Sequence, residues 1–249
     1  MTEVNLLPTP CYIIDEKQLR RNLEILEKVQ EDTGCRILLA QKAFSIPAVY
    51  PMIGRYLAGT TASSLYEARL GHKEMKGETH IFSPAYKENE FDEISTICSH
   101  IVFNSFAQLE KFRSCCDIAS IGIRVNPECS TQEHAIYDPC APGSRLGVTA
   151  DKFRPDLLDG VEGLHFHTLC EQGAEDLERT LRAVEEKFGA YLYRMKWLNM
   201  GGGQNITRPG YNLALLESCI RQAQDTYGVR VYLEPGEAVA YNAGYLVTE

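Results

Sequence analysis

The chain has 249 residues, of which 44% are hydrophobic and 24% are charged, so it is long enough for a large folded core and unlike a disordered protein. Its 25 basic and 34 acidic side chains leave a formal charge of -9, which disfavours nucleic-acid and anionic-membrane partners and mildly favours a cationic small molecule. No run approaches the roughly 18 apolar residues of a membrane-spanning helix, and nothing resembles an export signal, so we expect a cytoplasmic protein.

The first predicted elements are a short strand over Cys11–Ile14 and an amphipathic helix that follows the N-cap residue Asp15 and runs to about Val29. Eight apolar or β-branched runs of strand length come next. They cover Arg36–Ala40, Tyr56–Ala62, Thr79–Phe82, His100–Phe103, Ser120–Val125, Val161–Phe166, Lys196–Asn199 and Val229–Leu233. Helical patterns separate most of these runs, at Ser64–Met75, Ser105–Cys115, Ala174–Phe188 and Tyr211–Tyr227.

This alternation of strands and helices predicts right-handed βαβ units and a parallel sheet. Eight units fit a TIM-like (β/α)8 barrel over residues 15–240 better than an open doubly wound sheet, which stays as the alternative. The longest irregular segment, Asn126–Ala150, is predicted to be either a functional loop or a disordered one.

Both ends of the chain carry strand-like segments that a barrel does not need. The strand at Cys11–Ile14 precedes the barrel, and another run begins at Tyr245–Thr248. We interpret residues 1–14 as a strand of a second, β-rich domain and residues 241–249 as the start of its remaining part. The chain is therefore expected to be a fragment of a longer protein.

Residues with useful chemistry follow the predicted strands, at the end of a barrel where active sites are built. They are Lys42, Arg124, His165, His167, the triplet Gly201–Gly203, and Glu234. The prediction of a site depends on their convergence, because each residue alone has an ordinary structural explanation.

Lys42 directly follows an apolar strand, where loss of hydration favours the neutral amine that forms Schiff bases. Alternatively, it extends into solvent or pairs with an acid. The glycine triplet precedes a predicted helix, so its backbone N–H groups can turn toward a phosphate. A tight turn without a ligand explains the same glycines.

His165 and His167 alternate on one strand, so both side chains point the same way. They could bind zinc, or one could stack on an aromatic cofactor, but zinc is disfavoured because a closed set of ligands is missing. Glu234 ends an apolar strand and needs a partner to stay ionised, either a protonated pyridine nitrogen or Arg124. Together these groups predict pyridoxal phosphate as the cofactor and no metal.

Eight strings, in one order, resemble the barrel half of the fold type III pyridoxal-phosphate decarboxylases. The resemblance is strongest to the carboxynorspermidine (carboxyspermidine) decarboxylases and covers Tyr12 to Glu249. The strings are LAQKAF (Leu39–Phe44), GTTASSLYEARLG (Gly59–Gly71), FSPAY (Phe82–Tyr86), RVNP (Arg124–Pro127), SRLGV (Ser144–Val148), GLHFHTLCEQ (Gly163–Gln172), MGGG (Met200–Gly203) and EPGEAV (Glu234–Val239).

The resemblance implies an alanine racemase-type barrel and a role for each site residue. Lys42 would hold the cofactor covalently, and His167 would stack on its ring. Gly201–Gly203 would cradle the phosphate, Glu234 would pair with the pyridine nitrogen, and Arg124 joins the cofactor-binding residues. Lys42, His167 and Glu234 are the implied catalytic residues.

The chain departs from the ornithine- and diaminopimelate-type relatives in two strings. Those relatives commonly read Glu-Pro-Gly-Arg, where this chain has Glu237 in place of the arginine, and His-x-Gly-Ser, where it has His167 to Cys170. Some phosphate contacts must therefore differ. An acid at position 237 could instead bind an ammonium group of a polyamine-like substrate.

The resemblance implies a homodimeric decarboxylase that converts carboxynorspermidine or carboxyspermidine to norspermidine or spermidine. Relatives also carry a C-terminal β-domain with a catalytic Cys and a nearby Asp, at positions beyond Glu249. We therefore expect the fragment to bind cofactor and to decarboxylate poorly or not at all. The alternatives are a pyridoxal-phosphate-binding barrel for cofactor homeostasis and, less favoured, a metal-dependent barrel hydrolase.

Overall fold

The computed structural model describes residues 7–248, in which eight parallel strands close into a barrel. The strands of the chain are β1 (Cys11–Ile14), β2 (Arg36–Ala40), β3 (Gly59–Ala62), β4 (Glu78–Phe82), β5 (His100–Phe103), β6 (Ser120–Arg124), β7 (Val161–His165), β8 (Trp197–Asn199), β9 (Arg230–Leu233) and β10 (Gly244–Val247). The α-helices are α1 (Glu16–Thr33), α2 (Tyr50–Ile53), α3 (Leu65–Glu74), α4 (Glu88–Ile97), α5 (Phe106–Phe112), α6 (Ala174–Leu192), α7 (Leu213–Tyr227) and α8 (Glu237–Ala240).

The predicted barrel is confirmed, and the open-sheet alternative is wrong. Strands β2 to β9 follow one another around the barrel in chain order, and β2 closes it by pairing in parallel with β9. Their hydrophobic outer faces pack against the helices. Helix α1 illustrates this packing, because its apolar residues Leu19, Leu23 and Leu26 are completely buried.

The ends of the predicted elements differ from the observed ones by a few residues, for local reasons. Asp15 caps α1 as predicted, since its Oδ1 accepts the N–H groups of Lys17 at 2.9 Å and Gln18 at 3.1 Å. The helix runs past Val29 to Thr33, where Gly34 ends it with φ at 74°. The run predicted from Tyr56 becomes a strand only at Gly59, because the amide of Tyr56 still donates to the carbonyl of Ile53.

The two strand-like ends lie outside the barrel and pair with each other. Strands β1 and β10 form an antiparallel pair in which Cys11 lies opposite Val247 and Ile14 opposite Gly244. Residues 1–6 and 249 of the predicted end segments lie outside the described residues. The assignment of this pair to a second, β-rich domain stays a prediction.

The irregular segment Asn126–Ala150 lies over the carboxyl ends of the strands. Its two ends are joined by hydrogen bonds, since the N–H of Asn126 donates to the carbonyl of Val148 at 2.8 Å. The short 3-10 turn Ala135–Tyr137 lies within it. Between residues 7 and 248 the chain contains no helix that is both long and apolar enough to cross a membrane.

Candidate active site

The predicted site residues meet at one cavity of about 720 Å³ at the carboxyl ends of the barrel strands, which we call the carboxyl rim. Its walls include the side chains that the sequence singled out. They are Lys42, Arg124, His165, His167, Glu234 and Glu237, together with Gly203. Gly201 and Gly202 are buried and are not part of the cavity wall. The predicted convergence of the functional side chains is therefore present in the structure.

Lys42 lies in the turn that follows β2 and is exposed to the cavity, so the predicted loss of hydration at this lysine is wrong. Within residues 7–248 its ammonium has no hydrogen bond or ion pair, which leaves the amine available. The loop after β9 approaches this turn closely at Gly236. A Cβ at Gly236 would lie 2.4 Å from the Cβ of Ala43, so only glycine permits this approach.

His167 is held as a neutral imidazole. Its Nδ1 accepts the backbone N–H of Gly202 at 3.0 Å, which fixes the ring and leaves the proton on Nε2. Burial lowers the pKa of His167 well below its usual value, and the charges of Lys42 and Arg124 act in the same direction.

His165 is completely enclosed and lies beside Glu234. Its Nε2 is 3.4 Å from Glu234 Oε2, and neither ring nitrogen makes a hydrogen bond of good geometry. Burial lowers the pKa of His165 as well. The ring stacks on Phe82 with centroids 5.4 Å apart. His165 therefore packs between Phe82 and the carboxylate of Glu234 at the cavity wall.

The glycine triplet shapes the site more than it binds an anion. The N–H of Gly201 donates to Asn199 Oδ1 at 2.9 Å, and the N–H of Gly202 is engaged by His167. Among the three, only the N–H of Gly203 has no acceptor within the described part of the chain. The predicted phosphate cradle over Gly201–Gly203 stays a prediction, for which only the N–H of Gly203 is free, and the φ of 89° at Gly203 favours glycine.

The carboxylate of Glu234 lies 3.4 Å from the imidazole of His165, and no lysine or arginine in residues 7–248 forms an ion pair with it. Its Oε1 accepts a hydrogen bond from Asn199 Nδ2 at 2.7 Å. Burial alone would raise the pKa of Glu234, but the neighbouring His165 and the Asn199 amide outweigh it and hold the pKa below its usual range. The carboxyl group is therefore ionised and able to accept a cationic partner.

Arg124 is not that partner. Its Nη2 donates to the carbonyl of His167 at 3.1 Å, and its guanidinium lies 4.6 Å from the centroid of the Phe82 ring. No ion pair joins Arg124 to Glu234 in residues 7–248, so the alternative of a structural salt bridge is wrong. Burial lowers the pKa of Arg124 to about 10, which leaves it positively charged at neutral pH.

Glu237 faces the cavity but already has a partner. Arg208 Nη2 lies 2.7 Å from Glu237 Oε1 and 3.1 Å from Glu171 Oε2, so one arginine joins two acids. The sequence analysis missed Arg208 and Glu171, and it also missed Asn199. Asn199 could have been found as a polar residue that ends an apolar strand, whereas no local pattern marks Arg208.

Comparison with known proteins gives closely related sequences. The chain is 46% identical over 241 residues to a carboxynorspermidine/carboxyspermidine decarboxylase of Campylobacter jejuni. The aligned region covers 97% of this chain and 63% of that protein. The chain is 37% identical over 245 residues to a carboxyaminopropylagmatine decarboxylase of Synechocystis, again covering 97% of this chain and 63% of the relative. No family model matches the chain.

A solved structure agrees with these sequences. The crystal structure of carboxynorspermidine decarboxylase complexed with norspermidine, from Campylobacter jejuni, superimposes with a TM-score of 0.89 at 44% identity. The match covers 96% of this chain and 63% of that one. The chain thus spans less than two thirds of the length of these relatives.

The closed parallel barrel and its match to this solved structure give the fold class of the chain, which is the TIM barrel found in fold type III decarboxylases. The chain is similar over nearly its whole length to carboxynorspermidine/carboxyspermidine decarboxylases, which agrees with the resemblance predicted from its sequence.

The histidine environments lead to a testable prediction. Because burial lowers the pKa of His167 well below its usual value, we expect this imidazole to be neutral at pH 6, and we expect His165 to take up its proton at a lower pH than a free imidazole. Nitrogen-15 NMR of the imidazoles should show an unprotonated, hydrogen-bonded Nδ1 for His167. Assignment by His167→Asn identifies the signal. A doubly protonated His167 at pH 6 would contradict the described electrostatics.

Proposed function

We propose that the cavity at the carboxyl rim binds pyridoxal 5'-phosphate and that the chain forms the barrel part of a decarboxylase. The observation that carries this proposal is that an amine and a carboxylate, each suited to one part of this cofactor, line the same cavity. Within residues 7–248, the amine of Lys42 has no partner and the ionised carboxylate of Glu234 has no lysine or arginine partner, and both groups line this cavity. The proposed reaction converts carboxynorspermidine or carboxyspermidine to norspermidine or spermidine and CO2.

The residues present fit this cofactor. When bound, pyridoxal phosphate supplies an aldehyde that joins amines covalently and a ring that accepts electrons as CO2 leaves the substrate. Lys42 would hold the aldehyde carbon through Nζ, since no other group in the described chain occupies that amine. Gly203 would donate its unengaged N–H to a phosphate oxygen, a weaker contact than a full glycine cradle.

Glu234 would keep a proton on the ring nitrogen. An ionised carboxylate favours the protonated form of a neighbouring base, and Asn199 holds this carboxylate in place with a 2.7 Å hydrogen bond. By holding that proton in place, Glu234 would favour the loss of CO2 from the substrate.

His167 and Arg124 would form the floor of the cofactor site. The hydrogen bond from Gly202 fixes the His167 ring in one orientation, so the ring would not have to rotate before it packs against the cofactor. Arg124 binds the carbonyl of His167 and brings a buried positive charge to the cavity wall. That charge would favour a dianionic phosphate ester in the cavity.

The substrate's amino groups would bind at the outer part of the cavity. Glu171 and Glu237 share a single arginine, Arg208, so this cluster keeps one negative charge in excess. Protonated amines of a carboxylated triamine would be attracted there. The predicted role of Glu237 in substrate binding is thus extended to Glu171.

We further propose that the whole protein is a cytoplasmic homodimer. The sequence resemblance implies a dimer, and the nine cysteines are all unpaired, as is usual in reducing compartments. Cofactor homeostasis without catalysis is the weaker alternative, because the related proteins carry decarboxylase names.

The covalent role of Lys42 gives the first test of the proposal. After incubation with pyridoxal phosphate and reduction with borohydride, peptide mass mapping should find the added cofactor on Lys42. Lys42→Ala should abolish this labelling. The matched control is Lys73→Ala, which removes an exposed lysine that pairs only with Glu74. Labelling spread over surface lysines, and unchanged in Lys42→Ala, would exclude the proposal.

The substrate class can be tested at the same lysine without borohydride, while the bond between Lys42 and the cofactor is still reversible. Carboxynorspermidine should release the cofactor from Lys42, and Glu237→Gln should raise the concentration needed for half release by about 3- to 10-fold, because one negative charge is lost. The control is Glu186→Gln, on an exposed position of α6. CO2 and norspermidine formed in equal amounts would identify the reaction. An unchanged half-release concentration in Glu237→Gln would exclude its role.

A further inference from the structure

A second cavity, of about 810 Å³, opens at the amino ends of the barrel strands. Glu78, His100 and Ser120, which line it, are the first residues of β4, β5 and β6. None of its lining residues also lines the cavity at the carboxyl rim. The two cavities therefore lie at opposite ends of the barrel and do not share side chains.

Three possible metal ligands meet beside this second cavity. Glu78 and His80 are two residues apart on β4, so their side chains lie on the same face of the strand. His100 on β5 is the register partner of His80, and the two imidazole rings stack with centroids 3.9 Å apart. The pairing of β4 with β5 thus brings the three groups together.

The distances are close to those of a bound transition metal. One ligand atom from each of Glu78, His80 and His100 lies within 4.8 Å of the others. His80 Nε2 and Glu78 Oε2 are 3.0 Å apart. Zinc bonds of about 2.0–2.1 Å place tetrahedral ligand atoms about 3.3 Å from one another, so the separation of His80 Nε2 and Glu78 Oε2 already suits a shared ion. The His100 ring would have to rotate out of its stack on His80 to direct a nitrogen at the same ion.

A second observation concerns His80, which is only 1% exposed. Its Nδ1 is buried and has no hydrogen-bond partner in the described part of the chain. A buried nitrogen without a partner is costly, so the protein alone does not satisfy this ring. The other nitrogen, Nε2, faces the Glu78 carboxylate and is the atom that would bind the ion beside Glu78.

Neighbouring side chains fix the position of the Glu78 carboxylate. Arg36 binds its Oε1 at 2.6 Å through Nη2, and the Tyr232 hydroxyl donates to its Oε2 at 3.0 Å. These contacts would hold the carboxylate in place around a bound ion. The positive charge of Arg36 opposes the binding of a cation, so removal of that charge should strengthen binding.

We propose that Glu78, His80 and His100 form a binding site for a divalent transition metal ion of the zinc class, at the opposite end of the barrel from Lys42. Two imidazoles and one carboxylate suit zinc, cobalt or nickel and do not suit magnesium or calcium. Water from the adjoining cavity would complete the coordination. The proposal does not depend on the decarboxylase activity.

Calorimetric titration of the chain with Zn²⁺, without pyridoxal phosphate, tests the site. We expect one equivalent to bind through this cluster, Mg²⁺ not to bind, and both His80→Asn and His100→Asn to lose that equivalent. His72→Asn, at an exposed position of α3, is the matched control and should keep it. Arg36→Gln should tighten binding. Absence of Zn²⁺ binding, or binding unchanged in both cluster variants, would overturn the proposal.

Two further measurements separate the cluster from other causes. The visible spectrum of the Co²⁺-loaded chain should show nitrogen and oxygen ligands, whereas thiolate bands would assign the metal to the free cysteines and reject the proposal. Circular dichroism and borohydride labelling of Lys42 check folding in each histidine variant. If a variant is unfolded, the cobalt spectrum of the unaltered chain decides the question.

Discussion

The interaction on which the site depends is the hydrogen bond from Asn199 to the buried, ionised carboxylate of Glu234. A buried charge is expensive unless its neighbours support it, so the barrel must supply those neighbours accurately. It does so through strand register, because His165 on β7 lies directly beside Asn199 on β8. Arg124 on β6 is in turn the register partner of His165. Three polar residues are thus set side by side by the backbone alone.

The glycine triplet connects these residues to the groups around them through close packing and backbone hydrogen bonds. A Cβ at Gly202 would lie 2.1 Å from the carbonyl oxygen of Glu234, so glycine allows the loop after β8 to pack against the end of β9. From that position the N–H of Gly202 holds His167, and the N–H of Gly201 holds Asn199. The triplet therefore links the acid, the amide and the imidazole into one rigid unit.

Much of the fold and of the candidate site could be predicted from the sequence, because short local patterns mark the strands, the helices and the residues that follow the strands. Eight apolar runs separated by helical patterns predict a barrel, and the rule that strands end at the active site selects Lys42, His167 and Glu234. The residues that were missed are joined over long distances. Arg208 lies in the loop after β8 and contacts Glu171 and Glu237, which are 37 and 29 positions away, and no spacing in the sequence reveals those contacts.

The role of the glycine amides was also beyond sequence reasoning. A row of three glycines predicts a turn or an anion site equally well. Only the folded structure shows that the N–H groups of Gly201 and Gly202 already donate hydrogen bonds to neighbouring side chains. In the same way, the pairing of β1 with β10 joins the two ends of the chain and depends on closure of the barrel between them. Local patterns identify elements, whereas long-range contacts decide which atoms remain free.

A crystal structure of the chain with pyridoxal phosphate tests the central claim most directly. The account predicts the ring nitrogen within hydrogen-bond distance of Glu234 and the aldehyde carbon bonded to Lys42 Nζ, with His167 against the ring. A ring nitrogen that points away from Glu234, or a phosphate group in contact with that carboxylate, would contradict it.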